Sequence, residues 1–179
     1  LLIDHSLEFD VTMMYQSGAL FGSMSCIENV MLPLEEFSGL KARERRERAL
    51  KLLNDVELAD AADKMPSEIS GGMRKRVAIA RAMALDPEVV FLDEPSAGLD
   101  PITSAALDDL ILKLKVETGK TFVVVTHELP SIFRIADRAA MFDKARRGMI
   151  ALGSPRELKE TSDDPFIRKF FSRGEDNGK

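Results

Sequence analysis

The stretch that decides the fold is SGGMRKRVAIARAMALDPEVVFLDEPSAGLD, residues 70–100. Ser70 is suited to cap a helix, and Gly71 and Gly72 leave first-turn backbone amides open, a geometry that binds anions. Met73, Val77, Ala80 and Ala84 recur at helical spacing as an apolar stripe, with Arg74, Lys75, Arg76 and Arg81 falling mainly elsewhere. Asp86-Pro87 stops the helix. The apolar run Val89-Val90-Phe91-Leu92 then reads as a strand that delivers two adjacent carboxylates, Asp93 and Glu94, before Pro95 forbids further pairing. A turn, Ser96 to Asp100, closes the unit. An apolar strand running into an acidic pair is how a buried sheet presents metal-binding and proton-handling groups at its carboxyl edge.

Downstream, Pro101 fits the first turn of a helix whose buried face is Leu107, Leu110, Ile111 and Leu114, and Gly119 stops it. TFVVVT (121–126) is a continuous apolar strand of the kind buried on both faces in parallel sheets. His127 leaves that strand at the same edge as Asp93 and Glu94. A short helix (131–136) and strands at 139–142 and 149–152 follow, then a helix opened by Gly153-Ser154-Pro155. Phe166, Phe170 and Phe171 give a last helix an aromatic face, and the terminal GEDNGK is expected to be disordered.

Upstream, Leu1 to Asp4 looks like the end of a strand, and VTMMY (11–15) like a second one ending at Gln16. A loop begins at Ser17-Gly18. Ser25 or Cys26 opens a short helix carrying Ile27, Val30, Met31 and Leu34, with Pro33 limiting its regularity. KARERRERALKLL (41–53) interleaves basic residues with glutamates, which makes it a solvated helix with charge pairs three and four apart, not a nucleic-acid patch. Residues 59–64 continue as helix or turn, broken at Met65-Pro66. Strands alternating with helices predict an α/β fold with a mostly parallel sheet.

The chain's 179 residues can bury a core. A net charge of -5 creates no strong field for nucleic acid. The single cysteine, Cys26, has no internal disulfide partner and suits a reducing compartment such as the cytosol. No apolar run approaches the ~20 residues that span a bilayer. Membrane association is therefore expected through a partner.

In these motifs the chain resembles the nucleotide-binding subunit of an ABC transporter. Gln16 matches that family's Q-loop glutamine and Ile69 to Met73 its LSGGQ signature turn. Val89 to Asp93 matches the Walker B strand, Glu94 the catalytic glutamate, Ser96 to Asp100 the D-loop and His127 the switch histidine. QSGALF (16–21), NVMLPLEE (29–36), Met73 and DPIT (100–103) are further similar to the ATPases of Mla-type lipid transporters, which work with an MCE-domain protein.

The resemblance implies a P-loop NTPase (RecA-like) core at residues 1–16 and 87–179, with an α-helical signature subdomain at 17–86. It implies ATP and Mg²⁺ as cofactors, with Asp93 and Gln16 toward the metal. Glu94 would orient or deprotonate the attacking water and His127 would sense the γ-phosphate. Ser70, Gly71, Gly72 and Met73 would bind ATP held by a second, head-to-tail ATPase subunit, which Asp100 would contact. The other implied partners are a transmembrane permease and an MCE-domain lipid-binding protein, with no nucleic acid. The location implied is the cytoplasmic face of a bacterial inner membrane, held peripherally. Leu20, Phe21, Met24 and Ile27 form the surface expected to receive the permease's coupling helix.

The family's phosphate loop, G-x-x-x-x-G-K-[ST], does not precede Gln16. Gly119-Lys120-Thr121 comes after the D-loop, leads into a strand and has Leu114 where the first glycine belongs, so it is a false match. The aromatic residue that stacks on adenine is also missing, and the interval from Asp4 to Gln16 is short for the family. The chain is therefore expected to be an N-terminally incomplete version of such a subunit. The leading expectation is an ATPase driving phospholipid transport. The alternative is a non-hydrolysing module that donates its signature turn to a partner's ATP, against which the retention of Glu94 and His127 argues. A soluble ABC ATPase acting on DNA or ribosomes would carry coiled-coil or tandem insertions, and none is seen. Residues 1–179 alone are expected to bind Mg-ATP poorly and hydrolyse it negligibly, because the loop that cradles the β- and γ-phosphates is not among them. Phosphate release by the purified chain checks this, and robust turnover would overturn it.

Overall fold

The computed structural model describes residues 10–172. The chain divides into two compact units, residues 1–126 and 127–179. The expected strand at Leu1 to Asp4 and the expected disorder of GEDNGK lie outside the described residues.

In the first unit β1 (Val11–Met14), β2 (Val89–Asp93) and β3 (Thr121–Val125) form a parallel sheet in the order β1-β2-β3. Met14 pairs with Leu92, and Leu92 with Val124. Parallel neighbours need long crossovers. The first contains α1 (Cys26–Phe37), α2 (Ala42–Asp55), two 3-10 turns (Ala59–Ala61 and Pro66–Glu68) and α3 (Gly71–Ala82), and the second is α4 (Pro101–Thr118). Met14, Val90 and Leu92 are buried on the face toward which α3 and α4 pack.

The opposite face departs from expectation. The run 121–126 is expected to be buried on both sides, yet along β3 exposure alternates, and Val125 is 54% exposed. Val11, Met13 and Val123 are exposed with it. β3 thus has the apolar composition of a two-sided core strand, yet its outward residues Val123 and Val125 are exposed.

Local chemistry explains the helices. Ser25 caps α1 in a reciprocal box: its hydroxyl accepts from the Glu28 amide, while the Glu28 carboxylate accepts from the Ser25 amide at 2.7 Å. This closure, with Cys26, Ile27, Val30 and Leu34 buried, carries the helix through Pro33, which the sequence treats as a limit. Ile27 is core, and so does not belong to the expected docking surface; Phe21, 50% exposed, does remain outside. Buried Asn29 shapes that loop by accepting from the Phe21 amide and donating to the carbonyls of Phe21, Met24 and Ser25. Along α2, Arg43 pairs with Glu47 at 2.7 Å and Lys51 with Asp55 at 2.9 Å, as the charge spacing predicts. On α4 the apolar face Leu107, Leu110, Ile111 and Leu114 is buried, and Gly119 ends the helix at φ +67°, a conformation glycine adopts without strain.

The second unit holds α5 (Leu129–Ile135), an antiparallel pair β4 (Ala139–Asp143) and β5 (Gly148–Gly153), α6 (Pro155–Thr161) and α7 (Pro165–Ser172). Leu129, Leu158, Ile167 and Phe171 make its core, with the rings of Phe133 and Phe171 edge to face at 5.9 Å. The aromatic face expected of the last helix is thus partly core: Phe171 is buried and Phe166 is exposed. Among the described residues no helix is long and apolar enough to cross a membrane.

Gly119-Lys120-Thr121 is the junction of α4 and β3, and Lys120 Nζ donates to Asp86 Oδ1 at 2.6 Å and to the Pro87 carbonyl at 2.8 Å. That bond and the charge of Lys120 hold the Asp86 carboxyl below its ordinary value of 3.8. A depressed carboxyl contributes stability that is full above its unfolded value and lost as pH falls through the folded one. Asp86→Asn is therefore expected to flatten the acid limb of the stability curve, where pH falls below the ordinary aspartate value of 3.8. Urea midpoints measured across that range check it.

Candidate active site

The acidic edge is built by the end of β2. Asp93 pairs with Val125 of β3 and is partly buried. Glu94 leaves the strand at φ 45°, a left-handed conformation that costs a non-glycine residue about 1 kcal/mol or more. Its surroundings hold it there. The Glu94 amide donates to the Val125 carbonyl at 2.8 Å, its carbonyl accepts from the Ala97 amide at 3.2 Å, and Thr126 Oγ1 donates to Glu94 Oε2 at 3.3 Å. In the turn that follows, Ser96 is 1% exposed and its hydroxyl has no hydrogen-bond partner among the described residues.

The signature turn opens α3. Ser70 Oγ accepts from the Met73 amide at 3.2 Å, as expected of the cap. The amides of Gly71 and Gly72, in the first turn, have no intrahelical acceptor. Arg74 bends back to donate to the Ile69 carbonyl at 2.8 Å. Gly72 is required for packing as well: a Cβ there would lie 2.5 Å from Thr103 Cγ2 at the start of α4. Gly71 lies beside Leu99, where a Cβ would make only an ordinary contact at 3.6 Å. Signature turn and D-loop therefore abut within one chain.

Asp100 caps α4. Its Oδ1 accepts from the amides of Ile102 and Thr103 at 3.0 and 3.1 Å, and its Oδ2 from Thr103 Oγ1 at 2.5 Å. These bonds, the Thr103 hydroxyl first, hold the Asp100 carboxyl below the usual aspartate range.

Gln16, just after β1, is exposed. Its loop is stitched to α3. Gly18, at φ +73°, brings its backbone against Ala78, while Arg81 donates to the carbonyls of Gly18 at 2.7 Å and Ala19 at 2.8 Å. Lys75 Nζ donates to the Gln16 carbonyl and, at 3.2 Å, to the Glu94 carbonyl. Lys75 is only 7% exposed. Burial pushes its ammonium below the usual lysine range, an effect that the charges of Glu94 and Asp93 partly offset.

The sequence reading places Lys75, with Arg74, Arg76 and Arg81, mainly off the apolar stripe of Met73, Val77, Ala80 and Ala84 and gives it no role. The signal was present: Ala78, Ile79 and Ala82, all buried, follow it at three, four and seven residues, so Lys75 stands on an apolar stripe of its own.

The structure thus brings Gln16, Asp93 and Glu94 to one sheet edge, with α3 beside it. It sets Gly71 beside Leu99 of the turn ending in Asp100 and Gly72 against Thr103 at the start of α4, with Ser70 and Met73 flanking them in the sequence. His127 is exposed and begins the second unit, directly after Thr126. Among the described residues no three or more His, Cys, Asp or Glu side chains are arranged to hold a metal ion. Mg²⁺ is ordinarily held by one or two carboxylates together with water and substrate phosphates. The Asp93–Glu94 edge therefore fits Mg²⁺ that arrives with a nucleotide, and not a cation caged by protein alone. Open amides at a helix start fit a phosphate in turn.

An α/β unit with a parallel sheet, an acidic strand end and a capped Ser-Gly-Gly helix defines a phosphate-handling class of protein. The family model for ABC transporters matches residues 3–97, just over half of the chain, and the chain belongs to that family. It is 42% identical over 161 residues to the "Intermembrane phospholipid transport system ATP-binding protein MlaF" of Escherichia coli K12, covering 90% of this chain and 59% of the relative. It is 40% identical over 159 residues to the "Probable ribonucleotide transport ATP-binding protein mkl" of Mycobacterium leprae, covering 89% of this chain and 45% of the relative. Among solved structures it is similar to the ATP-binding cassette MJ0796, a dimeric post-hydrolysis state bound to ADP and Pi. That likeness has a TM-score of 0.70 and 33% identity, and covers 82% of this chain and 63% of the other. The chain spans about half the length of the curated relatives it matches.

Gly72→Ala is expected to destabilise the fold by about 1–3 kcal/mol, because the added Cβ would lie 2.5 Å from Thr103 Cγ2, closer than such carbons pack. Thr103→Ser, which removes Cγ2 and keeps the hydroxyl on Asp100, should recover most of that loss in the double variant. Urea denaturation of the four proteins measures the coupling.

Proposed function

We propose that the chain forms part of the ATP-hydrolysing subunit of an ABC transporter, and that the cargo is phospholipid moved across or between bacterial membranes. The observation that carries the hydrolytic reading is the held geometry of Glu94, a carboxylate fixed beside Asp93 at the open end of a parallel sheet. The lipid reading rests on 42% identity to MlaF, together with Met73 and the Gln16 to Phe21 stretch. The second relative is named for ribonucleotide transport, which makes ribonucleotides the cargo to test against.

Phosphoryl transfer depends on positioning and charge stabilisation, so no protein nucleophile is required. Mg²⁺, when bound with ATP, would neutralise charge on the phosphate oxygens. Asp93 would hold it, with Gln16 as the second group at that edge. Glu94 would orient the attacking water and accept its proton, its Oε2 steadied by the Thr126 hydroxyl. His127, next in the chain, would contact the γ-phosphate. Ser70, Gly71, Gly72 and Met73 would present the signature turn to ATP on a second copy, as would suit a dimer like that of MJ0796. Asp100 would act there through the α4 start that it caps.

We assign residues 1–16 and 87–179 to the catalytic core and 17–86 to a helical lobe; the mutual packing of α1, α2 and α3 supports the lobe. The partners of this reading are a transmembrane permease, the second ATPase subunit and an MCE-domain protein, and not nucleic acid. Its place is the cytoplasmic face of the inner membrane. Phe21 and its loop, shaped by Asn29, would meet the permease.

In the complete subunit assembled with its permease, Glu94→Gln is expected to lower ATP turnover by about 10²–10⁴-fold while ATP binding persists. Steady-state phosphate release and nucleotide binding measure the two effects. Reconstitution in vesicles with labelled phospholipid and labelled ribonucleotide decides the cargo. ATP-dependent movement of the nucleotide alone would overturn the lipid reading.

A further inference from the structure

The β1–β2 pairing explains why a lysine is buried here. The ladder is in register to Met14 and Leu92, and two residues further along each strand lie Gln16 and Glu94. Beyond the ladder the two chains separate, Gln16 into an exposed loop and Glu94 into a left-handed turn. Both carbonyls therefore lie past the last paired residues, Met14 and Leu92. Lys75 Nζ, reaching in from α3, donates to both. Burying an ammonium is costly unless its protons are taken up, and backbone carbonyls take them up while staying neutral.

We infer that Lys75 is a positioning residue: its ammonium bridges the Gln16 and Glu94 carbonyls and so fixes the hydrolytic carboxylate and the Gln16 loop to the helix that carries the signature turn.

Three features support a positioning role over simple packing. The contact is made by the charged tip and not by the aliphatic stem. Its two acceptors belong to the two loops that bracket the acidic edge. One of them is the carbonyl of Glu94, whose φ of 45° sets the direction of the carboxylate and needs outside support to persist. Arg81, further along α3, holds the Gly18 and Ala19 carbonyls but donates to nothing at Glu94. Lys75 alone joins both loops among these side chains of α3.

The inference rests on reading Glu94 and Gln16 as hydrolytic residues. Its test uses the complete subunit in its transporter, as wild type, Lys75→Met and Lys75→Arg. Without nucleotide, the amides of Gly18, Glu94 and Ala97, each hydrogen-bonded here, are followed by hydrogen exchange. In Lys75→Met their exchange is expected to rise about tenfold or more, while amides of α1 and α2 keep their protection. With ATP, kcat is expected to fall by at least about tenfold with KM within about threefold, and Lys75→Arg to restore most of both. Should the methionine variant not fold, Lys75→Gln keeps an uncharged amide donor group and is expected to lie between wild type and the loss described. Unchanged exchange at the three amides, or a rise shared equally with α1 and α2, would overturn the inference. An unchanged kcat would do so too. A wild-type complex that hydrolyses no ATP would overturn the functional reading instead, and the exchange data, which need no nucleotide, would still decide whether the bridge exists.

Discussion

A buried positive charge between two backbone carbonyls is the interaction on which the site depends. Lys75 brings no catalytic chemistry of its own. What it supplies is a link where the parallel ladder of β1 and β2 ends and the two chains would otherwise part. With Arg81 it turns one face of α3 into a row of donors for the Gln16 loop, and Gly18 permits the close approach. The helix that opens with the signature turn is thus continuous, through hydrogen bonds, with the acidic edge. A displacement of α3 would have to break those bonds or carry both loops along.

The other end of the same helix is fixed by shape. Gly72 has no room for a side chain because Thr103 occupies the space, and Thr103 is held by Asp100 as that residue caps α4. Glycine here answers to the close crossing of two helix starts, and the same first turn leaves its amide open. Asp100 likewise has a structural duty whatever it contacts in an assembly.

Much of the fold was readable because local rules agreed with one another. Ser25, Ser70 and Asp100 each stand before a helix, the Pro101 and Gly119 pair brackets α4, and the Val89 to Asp93 run leads into a proline. The Ser70 cap and the strand-end position of Asp93 and Glu94 followed from the same pattern, and Gly119-Lys120-Thr121 forms the junction of α4 and β3, as its place before a strand suggests. The failures arose where burial depends on what lies across a face. TFVVVT has the composition of a strand covered on both sides, but composition cannot register that Val123 and Val125 are exposed. Ile27 was read as surface from its neighbours in the loop and is core because it sits on the inner side of α1. Lys75 was placed off the apolar stripe of α3 and given no role. Only the end of the ladder, a tertiary feature, creates the carbonyls that take up its charge.

The most direct test of the account is a crystal structure of the complete subunit with Mg²⁺ and ATP bound, in the Glu94→Gln form. The account predicts Lys75 Nζ within hydrogen-bonding distance of both the Gln16 and Glu94 carbonyls, with Asp93 and residue 94 beside the metal and phosphates. A Lys75 side chain directed to solvent, with the two loops held by other groups, would contradict it.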